Sequence, residues 1–147
     1  MAAAAIAALI ALAPVSSASP STAAAEIPAS QQAFALCVAH RESHGNYKAR
    51  RSEAGSSAAG RWQFLDKQWR HGLSYMVAAR LRAFGMSALD AAVIRRELQA
   101  KPIDRWAPQY QDAAFLAALN AHGRWSGWRH WYLAGSKCNA LVPASAR

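Results

Sequence analysis

Apolar residues recur every three or four positions along most of the chain after residue 26, which is the spacing of amphipathic helices. Phe34, Cys37 and Val38 form one such stripe, in a helix that we predict from Ser30 as its N-cap to about residue 43. Gly45 follows as a natural stop. Because strand-like alternation is nearly absent, the pattern predicts a mainly α domain.

Capping and breaking residues predict the other elements. Asp66 can cap "DKQWRH", which Gly72 interrupts, and Ser87 with Asp90 outlines a capping box. Pro108 suits the first turn of a helix. Residues 46–63 are small and polar, which predicts a loop or a short irregular hairpin between the first two helices. The remaining helical segments are predicted at 74–84, about 87–100, 108–121 and 127–135.

The N-terminal stretch differs from the rest of the chain. Residues 1–25 hold an alanine-rich apolar run, then Pro14, then small residues with A-x-A-like sites such as residues 23–25. We interpret this stretch as a signal peptide ahead of one domain at residues 26–147. The run is too short to cross a bilayer comfortably. No Lys or Arg precedes the run, which argues against a signal peptide and leaves a disordered leader as the alternative. A start codon placed too late would explain the missing basic residues.

The charge balance is strongly basic, with 17 Lys and Arg against 8 Asp and Glu and a formal net charge of +9. Such a surface attracts nucleic acid, anionic lipid or an acidic cell wall. Export favours the wall and argues against nucleic acid. The basic helices "YMVAARLRAF" and "AAVIRREL" leave a membrane-active protein as an alternative. No later segment is apolar enough for stable membrane insertion.

The two cysteines, Cys37 and Cys138, fit an oxidising compartment, where they could join the first helix to the C-terminal tail. Two unpaired, buried thiols are the alternative if export fails. A catalytic cysteine is not indicated, because no histidine is placed to pair with either thiol.

The stretch "AHRESHGNY" contains a carboxylate between two histidines, which raises the question of a metal site. His40 and His44 share a helix face, but Glu42 lies about 200° round the helix from His40 and points away. A zinc protease motif places its glutamate directly after the first histidine. No third ligand has suitable spacing, so we expect neither a metal nor another cofactor.

Glu42 can instead be a general acid or an ordinary polar helix end. Phe34, Val38 and Glu42 follow at steps of four, so the carboxyl lies at the edge of the apolar stripe and near the helix C-terminus. Both features disfavour a charged carboxylate, and a protonated glutamate is what cleavage of a glycosidic bond requires. Arg41 opposes this effect if it pairs with Glu42.

The stretch "AHRESHGNY", followed by "SSAAGRWQF" and a tryptophan, resembles the lysozyme-like lytic transglycosylases. It is most similar to actinobacterial transglycosylase-like domains related to the resuscitation-promoting factors, with the pattern E-S-x-G-N-aromatic, G-x-x-Q-F, then W. "ALNAHG" at residues 118–123 is similar to the A-Y-N-A-G motif of soluble lytic transglycosylases, with Leu119 in place of tyrosine and one residue inserted. The resemblance covers residues 36–70 and, more distantly, 106–138. Its matching residues are Glu42, Ser43, Gly45, Asn46, Tyr47, Gly60, Gln63, Phe64 and Trp69.

The resemblance implies a small lysozyme-like fold and cleavage of the β-1,4 bond between N-acetylmuramic acid and N-acetylglucosamine in peptidoglycan. Glu42 would protonate the leaving oxygen and then take a proton from the muramic O6, giving a 1,6-anhydro product. That route needs one carboxylate, whereas hydrolysis uses two. Glu53 is the candidate second carboxylate, so a hydrolytic muramidase is one alternative. A non-catalytic wall-binding or signalling domain is the other, favoured by Leu119.

Aromatic rings stack on sugars, and Tyr47 and Trp62 flank the motif loop, so both are candidates for a glycan groove. Trp125 stands in a stretch interrupted by glycines, and the sequence is compatible with a position in the groove or in the core. Three further tryptophans are expected in the core: Trp69, Trp106 and Trp131.

Among the polar residues, Gln63 either orients the substrate or ties its own loop, and Asn120 is a candidate through "ALNAHG". The resemblance adds Ser43 and Gly60 to the expected substrate-binding set. We therefore expect a secreted, wall-associated monomer that binds peptidoglycan glycan strands and not nucleic acid. The need for a partner cell-wall hydrolase stays open.

Overall fold

The computed structural model describes residues 18–51, 56–122 and 127–147. Helices dominate this part of the chain, which confirms the mainly α fold class. The helices are α1 (Pro20–Ala25), α2 (Ala29–Ser43), α3 (Asp66–Ala83), α4 (Ala88–Ala100) and α5 (Pro108–Leu119), with 3-10 segments at Ile103–Arg105, Gly127–Trp131, Lys137–Leu141 and Ala144–Ala146. Strands β1 (Ala58–Ala59) and β2 (Phe64–Leu65) pair as an antiparallel hairpin.

Helix α2 begins directly after Pro28, and no side chain caps it. The predicted cap at Ser30 is wrong, because Ser30 already lies in the first turn. The helix ends where His44 takes a left-handed conformation with φ 53°. Gly45, with φ 80°, donates its N–H to the Ala39 carbonyl at 3.0 Å. This bond satisfies a terminal carbonyl, so the predicted stop is confirmed.

Helix α3 runs without interruption through Gly72, where a break was predicted. A glycine costs a helix about 1 kcal/mol relative to alanine. Leu73 and Val77 are buried on the same helix and hold it against the core. Tertiary packing therefore outweighs the local preference of Gly72.

Asp66 is the first residue of α3 and does not cap it. Its Oδ1 accepts the Ile103 N–H at 2.9 Å and lies 3.2 Å from the Arg70 Nε. The side chain is buried, so the carboxylate instead ties the start of α3 to the segment between α4 and α5.

The predicted N-cap of α4 at Ser87 is confirmed, but Asp90 contacts the Ser87 hydroxyl and not the Ser87 backbone N–H that completes a capping box. The Ser87 Oγ accepts the Asp90 N–H at 3.1 Å, and the Ser87 hydroxyl lies 2.6 Å from the Asp90 Oδ2. Helix α5 begins at Pro108 as predicted and ends at Leu119, two residues earlier than the predicted 121.

The polar stretch between α2 and α3 contains the short hairpin that was predicted as one of two possibilities. Ala58 pairs with Leu65 and Ala59 with Phe64. Gly60 makes the turn with φ 78°, and a Cβ at this position would lie 2.3 Å from the Gln111 Oε1. Glycine is required here for both reasons.

The core is built around the aromatic rings that α2, the hairpin and α5 bring together. Phe115 stacks on Trp62 with ring centroids 3.8 Å apart and contacts Trp131 at 4.9 Å. Trp106 and Trp131 are buried, as predicted, and Trp69 is half-buried against the core.

Cys37 and Cys138 form a disulfide with a Cα–Cα distance of 5.6 Å. It joins α2 to the Lys137–Leu141 segment, which confirms the predicted link to the C-terminal tail. The bond closes a loop of 101 residues, for which the chain-entropy model gives a stabilisation on the order of 4–5 kcal/mol.

Helix α1 lies within the predicted leader, yet it packs against α3 and α5. Ala24 is fully buried, and its carbonyl accepts the Arg80 Nε–H at 2.6 Å. The folded unit thus extends upstream of the predicted boundary at residue 26. Residues 1–17 of the leader lie outside the described residues. Across the described ranges, no helix is long and apolar enough to cross a membrane.

Candidate active site

Glu42 is the penultimate residue of α2, and its side chain is 16% exposed. The Arg41 Nε donates to its Oε1 at 2.9 Å, and the Arg51 Nη2 lies 3.7 Å from its Oε2. Arg41 is further fixed by the Trp131 carbonyl at 2.7 Å and by the Ser136 Oγ at 3.0 Å. Arg51 has a side chain that is 46% exposed. The carboxylate therefore lies between one fixed and one exposed guanidinium.

This setting differs from the apolar one expected for Glu42. Arg41 pairs with Glu42, which the sequence analysis left open. This pairing opposes the effect of the apolar stripe on the carboxyl. In the free protein Glu42 is an ion-paired carboxylate, and it is neither in bulk solvent nor in the core. Proton delivery to a substrate requires Oε2 to be free of Arg51, and this pair can open at little cost because exposed pairs are weak, while Arg41 stays on Oε1.

Ser43 lies beside the catalytic candidate but faces inward. Its hydroxyl donates to the Arg61 carbonyl at 2.7 Å and the side chain is buried. Gly60 is also buried, below Gln111. The expected substrate contacts of Ser43 and Gly60 are therefore wrong in this structure: both residues hold the hairpin against the end of α2.

Gln63 ties its own loop, which was one of its two predicted roles. Its Nε2 donates to the Gly60 carbonyl at 2.9 Å, and the backbone has φ 51°. Its Oε1 is buried and has no hydrogen-bond partner.

A second carboxylate, Asp112 on α5, is the centre of a partly buried polar cluster. Its Oδ2 accepts the Tyr47 hydroxyl at 2.6 Å, and its Oδ1 accepts the Trp62 Nε1–H at 3.0 Å. The Arg61 Nη1 donates to the Tyr47 hydroxyl and lies 3.5 Å from Asp112. Desolvation raises the pKa of Asp112, although these hydrogen bonds and the Arg61 charge oppose the shift.

Tyr47 shares this environment. Desolvation, together with the hydrogen bond to Asp112, raises its pKa to about 12. The ring remains partly exposed and lines a cavity of about 530 Å³ beside Lys48 and Asp104. Asp112 lines a neighbouring cavity of about 510 Å³, and neither cavity includes Glu42.

Trp62 was expected in a glycan groove, and this prediction is wrong. Its side chain is 1% exposed, its ring stacks on Phe115 and its indole N–H is bonded to Asp112. A buried tryptophan needs an acceptor for its N–H, and that acceptor comes from a helix 50 residues further along the chain.

Asp112 was not singled out in the sequence, although a signal was present. Gln111 and Asp112 are consecutive polar residues in a helix that is otherwise apolar on nearly every side. Such a helix is buried, so its polar groups need partners. Gln111 is fully buried and bonds the Arg61 N–H, the Tyr47 carbonyl and the Trp106 carbonyl.

Asn120 ends α5 and is structural rather than part of the site. Its Oδ1 accepts the Gln31 Nε2–H at 3.0 Å, and its Nδ2 donates to the Leu116 carbonyl at 2.8 Å. Gln31 precedes Glu42 by eleven residues on α2, which is about 16 Å along the axis. Asn120, a candidate substrate-binding residue in the sequence, therefore lies away from Glu42, and its amide bonds within the fold.

Two further predicted residues, Glu53 and Trp125, lie outside the described residues. Within the described ranges, no three His, Cys, Asp or Glu side chains converge as metal ligands. The rings of His40 and His44 contact each other with centroids 5.1 Å apart.

Comparison of the chain with protein-family models, with curated proteins and with solved structures found no match. The resemblance to transglycosylases therefore rests on the motif residues alone.

Proposed function

We propose that this protein is a secreted peptidoglycan lytic transglycosylase, in which Glu42 acts first as the acid and then as the base. The setting of the Glu42 carboxylate supports this most directly. It lies at the end of α2, mostly shielded from water, and one of its two cationic neighbours is exposed and free to leave.

In the proposed reaction, Glu42 starts in the protonated form, after the substrate has displaced Arg51. Its proton goes to the glycosidic oxygen as the C1–O bond of the muramic residue breaks. The resulting carboxylate takes the proton from the muramic O6 hydroxyl, and O6 bonds to C1. The products are a 1,6-anhydromuramic end and a free N-acetylglucosamine end, with no water consumed and Glu42 protonated again.

The neighbouring groups suit this sequence. Arg41, fixed by the Trp131 carbonyl and the Ser136 hydroxyl, can hold the carboxylate in one orientation in both steps. The disulfide lies five residues before Glu42 and fixes the same end of α2 against the C-terminal segment. Tyr47 is partly exposed and lines a cavity, so it stays a candidate for contact with a glycan strand.

Export and wall association belong to the same proposal. A disulfide persists in an oxidising compartment, and the net charge of +9 favours contact with an acidic wall.

Digestion of purified peptidoglycan tests the reaction. We expect Glu42→Gln to lower the rate by about 10²–10⁴-fold, the usual contribution of a general acid or base. Glu97→Gln is the matched control, because it makes the same chemical change at a side chain that is 60% exposed on α4. Mass spectrometry should find muropeptides that lack one water relative to hydrolytic products.

Equal rates for the wild type and Glu42→Gln would end the catalytic proposal. Reducing-end products that still require Glu42 would instead identify a hydrolytic muramidase, for which Glu53 is the candidate second carboxylate.

A non-catalytic wall-binding domain is the second candidate. The pairing of Glu42 with Arg41 favours it, as does the buried apolar Leu119 where the family motif has a tyrosine hydroxyl. In that case the wild type and Glu42→Gln sediment equally with insoluble walls, and neither releases soluble fragments.

A further inference from the structure

The basic helices singled out in the sequence form a groove on the surface of the protein. A cavity of about 280 Å³ lies between α3 and α4. Alanines line most of it, and its other residues are Tyr75, Arg82 and Arg95. The groove is therefore small and lined mostly by short apolar side chains, with cationic side chains as its only charged lining.

The two arginines lie towards opposite ends of this groove. The Arg95 guanidinium stacks over the Tyr75 ring, 4.4 Å from the centroid, so these two residues mark one end. Arg82 follows Tyr75 by seven residues on α3, which is about 10 Å along the helix axis. Arg82 thus lies near the turn that joins the two helices.

Both guanidiniums have unused hydrogen-bonding capacity. The Arg95 Nε is buried and has no hydrogen-bond partner. In the described part of the chain, neither Arg82 nor Arg95 forms an ion pair with a carboxylate. The Nε has no access to the groove, so an anion there would meet the Arg95 Nη atoms and the exposed Arg82 guanidinium.

The acids of the two helices do not face the groove. Asp90 and Glu97 are seven residues apart on α4 and share one face, about 140–160° away from Arg95. Asp66, the acid of α3, is engaged by Ile103 and Arg70. The lining thus attracts anions without a neighbouring carboxylate to oppose them.

We propose that the groove between α3 and α4 binds a linear polyanion of the alditol-phosphate type, an unbranched chain of small polyols joined by phosphodiesters. Guanidinium groups bind phosphate through paired hydrogen bonds. A polymer with its charges in the backbone fits a narrow alanine-lined groove, whereas charges on bulky side branches do not. The concave shape also disfavours a flat lipid surface.

The test is binding of fluorescently labelled poly(glycerol phosphate), followed by anisotropy at physiological ionic strength. We expect the double variant Arg82→Gln/Arg95→Gln to bind at least about tenfold more weakly, since hydrogen bonds to charged groups are lost at both ends. Arg96→Gln/Arg129→Gln is the matched control: both residues are exposed and outside the groove, and the same two charges are removed. We expect it to stay within about twofold of the wild type.

A second variant fills the groove without changing the charge. Ala92 lines it and is half-buried, so Ala92→Phe should block the polymer while the circular dichroism melting curve shows a folded protein. Glu42→Gln should bind like the wild type, which separates this site from the proposed wall-cleaving function.

Three results would overturn the proposal. Equal weakening by the two double variants would mean that binding follows net charge alone. Groove-dependent binding of poly(glutamate) as tight as that of the phosphate polymer would remove the phosphodiester assignment. Leu89 is an exposed apolar residue of α4. Vesicles of phosphatidylglycerol that bind more tightly than the polymer, through a contact that Leu89→Ser abolishes and both arginine pairs leave unchanged, would identify a membrane-facing surface instead.

Discussion

The protein holds two carboxylates of almost equal exposure in opposite kinds of setting. The side chain of Glu42 is 16% exposed and that of Asp112 is 14% exposed. Glu42 is contacted by two guanidiniums at the edge of the fold. Asp112 accepts hydrogen bonds from Tyr47 and from the fully buried Trp62.

The difference lies in whether the partners can leave. Arg51 can turn into solvent without disturbing the core, so the Glu42 carboxylate can exchange a partner for a substrate. Trp62 cannot move away from Asp112 without breaking its stack on Phe115. Of the two carboxylates, only Glu42 can therefore exchange a partner during a reaction cycle. The contacts of Asp112 support the fold.

The largest effect expected from this difference is on stability. We expect Asp112→Ala to lower the free energy of unfolding by about 2–4 kcal/mol, because the buried Trp62 N–H and the Tyr47 hydroxyl lose their acceptor. Glu42→Ala should change it by less than about 1 kcal/mol, since it removes a boundary ion pair and a negative charge at a helix C-terminus. Urea unfolding of both variants checks this.

The reverse order, with Glu42→Ala the more damaging to stability, would contradict the distinction between the two carboxylates.

A smaller effect should separate the two cations beside Glu42. Arg41→Gln removes hydrogen bonds to the Trp131 carbonyl and the Ser136 hydroxyl, so we expect a loss of about 1–3 kcal/mol. Arg51→Gln should stay within about 0.5 kcal/mol, because its side chain is 46% exposed. Thermal melts of the pair measure the difference, and equal losses would show that Arg51 is held as firmly as Arg41.

The last effect has no consequence at neutral pH and is confined to alkaline solution. Because the pKa of Tyr47 is raised from 10.0 to about 12, the folded protein keeps this proton longer than the unfolded chain. Its contribution to stability is fully present below about pH 10 and is lost as the pH rises through about 12. Burial also raises the pKa of Tyr110, so absorbance titration near 295 nm should show more than one late-ionising tyrosine, and Tyr47→Phe should remove the step near pH 12.

If the step that Tyr47→Phe removes lies near pH 10 instead, the hydroxyl is not in the partly buried contact with Asp112 described above.

Local patterns sufficed for elements that local interactions stabilise. The apolar stripe of α2, the stop at Gly45 and the N-cap at Ser87 can be recognised from a few neighbouring residues. The disulfide could be proposed because the chain has two cysteines and no third.

Elements that depend on distant partners could not be read in this way. Trp62 lies within the motif loop, so its neighbours in sequence indicated a groove, while its hydrogen-bond partner is on α5. Asn120 matched a motif by letter, but its side chain bonds the first turn of α2. Gly72 looked like a break because the packing that holds α3 together involves residues from other helices.

The contact between Arg80 and the Ala24 carbonyl bears on how an exported form of the chain can mature. A peptidase that cut after residue 25 would take away a core alanine and the acceptor of a guanidinium whose pKa is already lowered by desolvation. The A-x-A-like site at residues 23–25 is therefore inside the folded unit. Processing that preserves this helix must cut ahead of Ser19, whose hydroxyl caps its first turn.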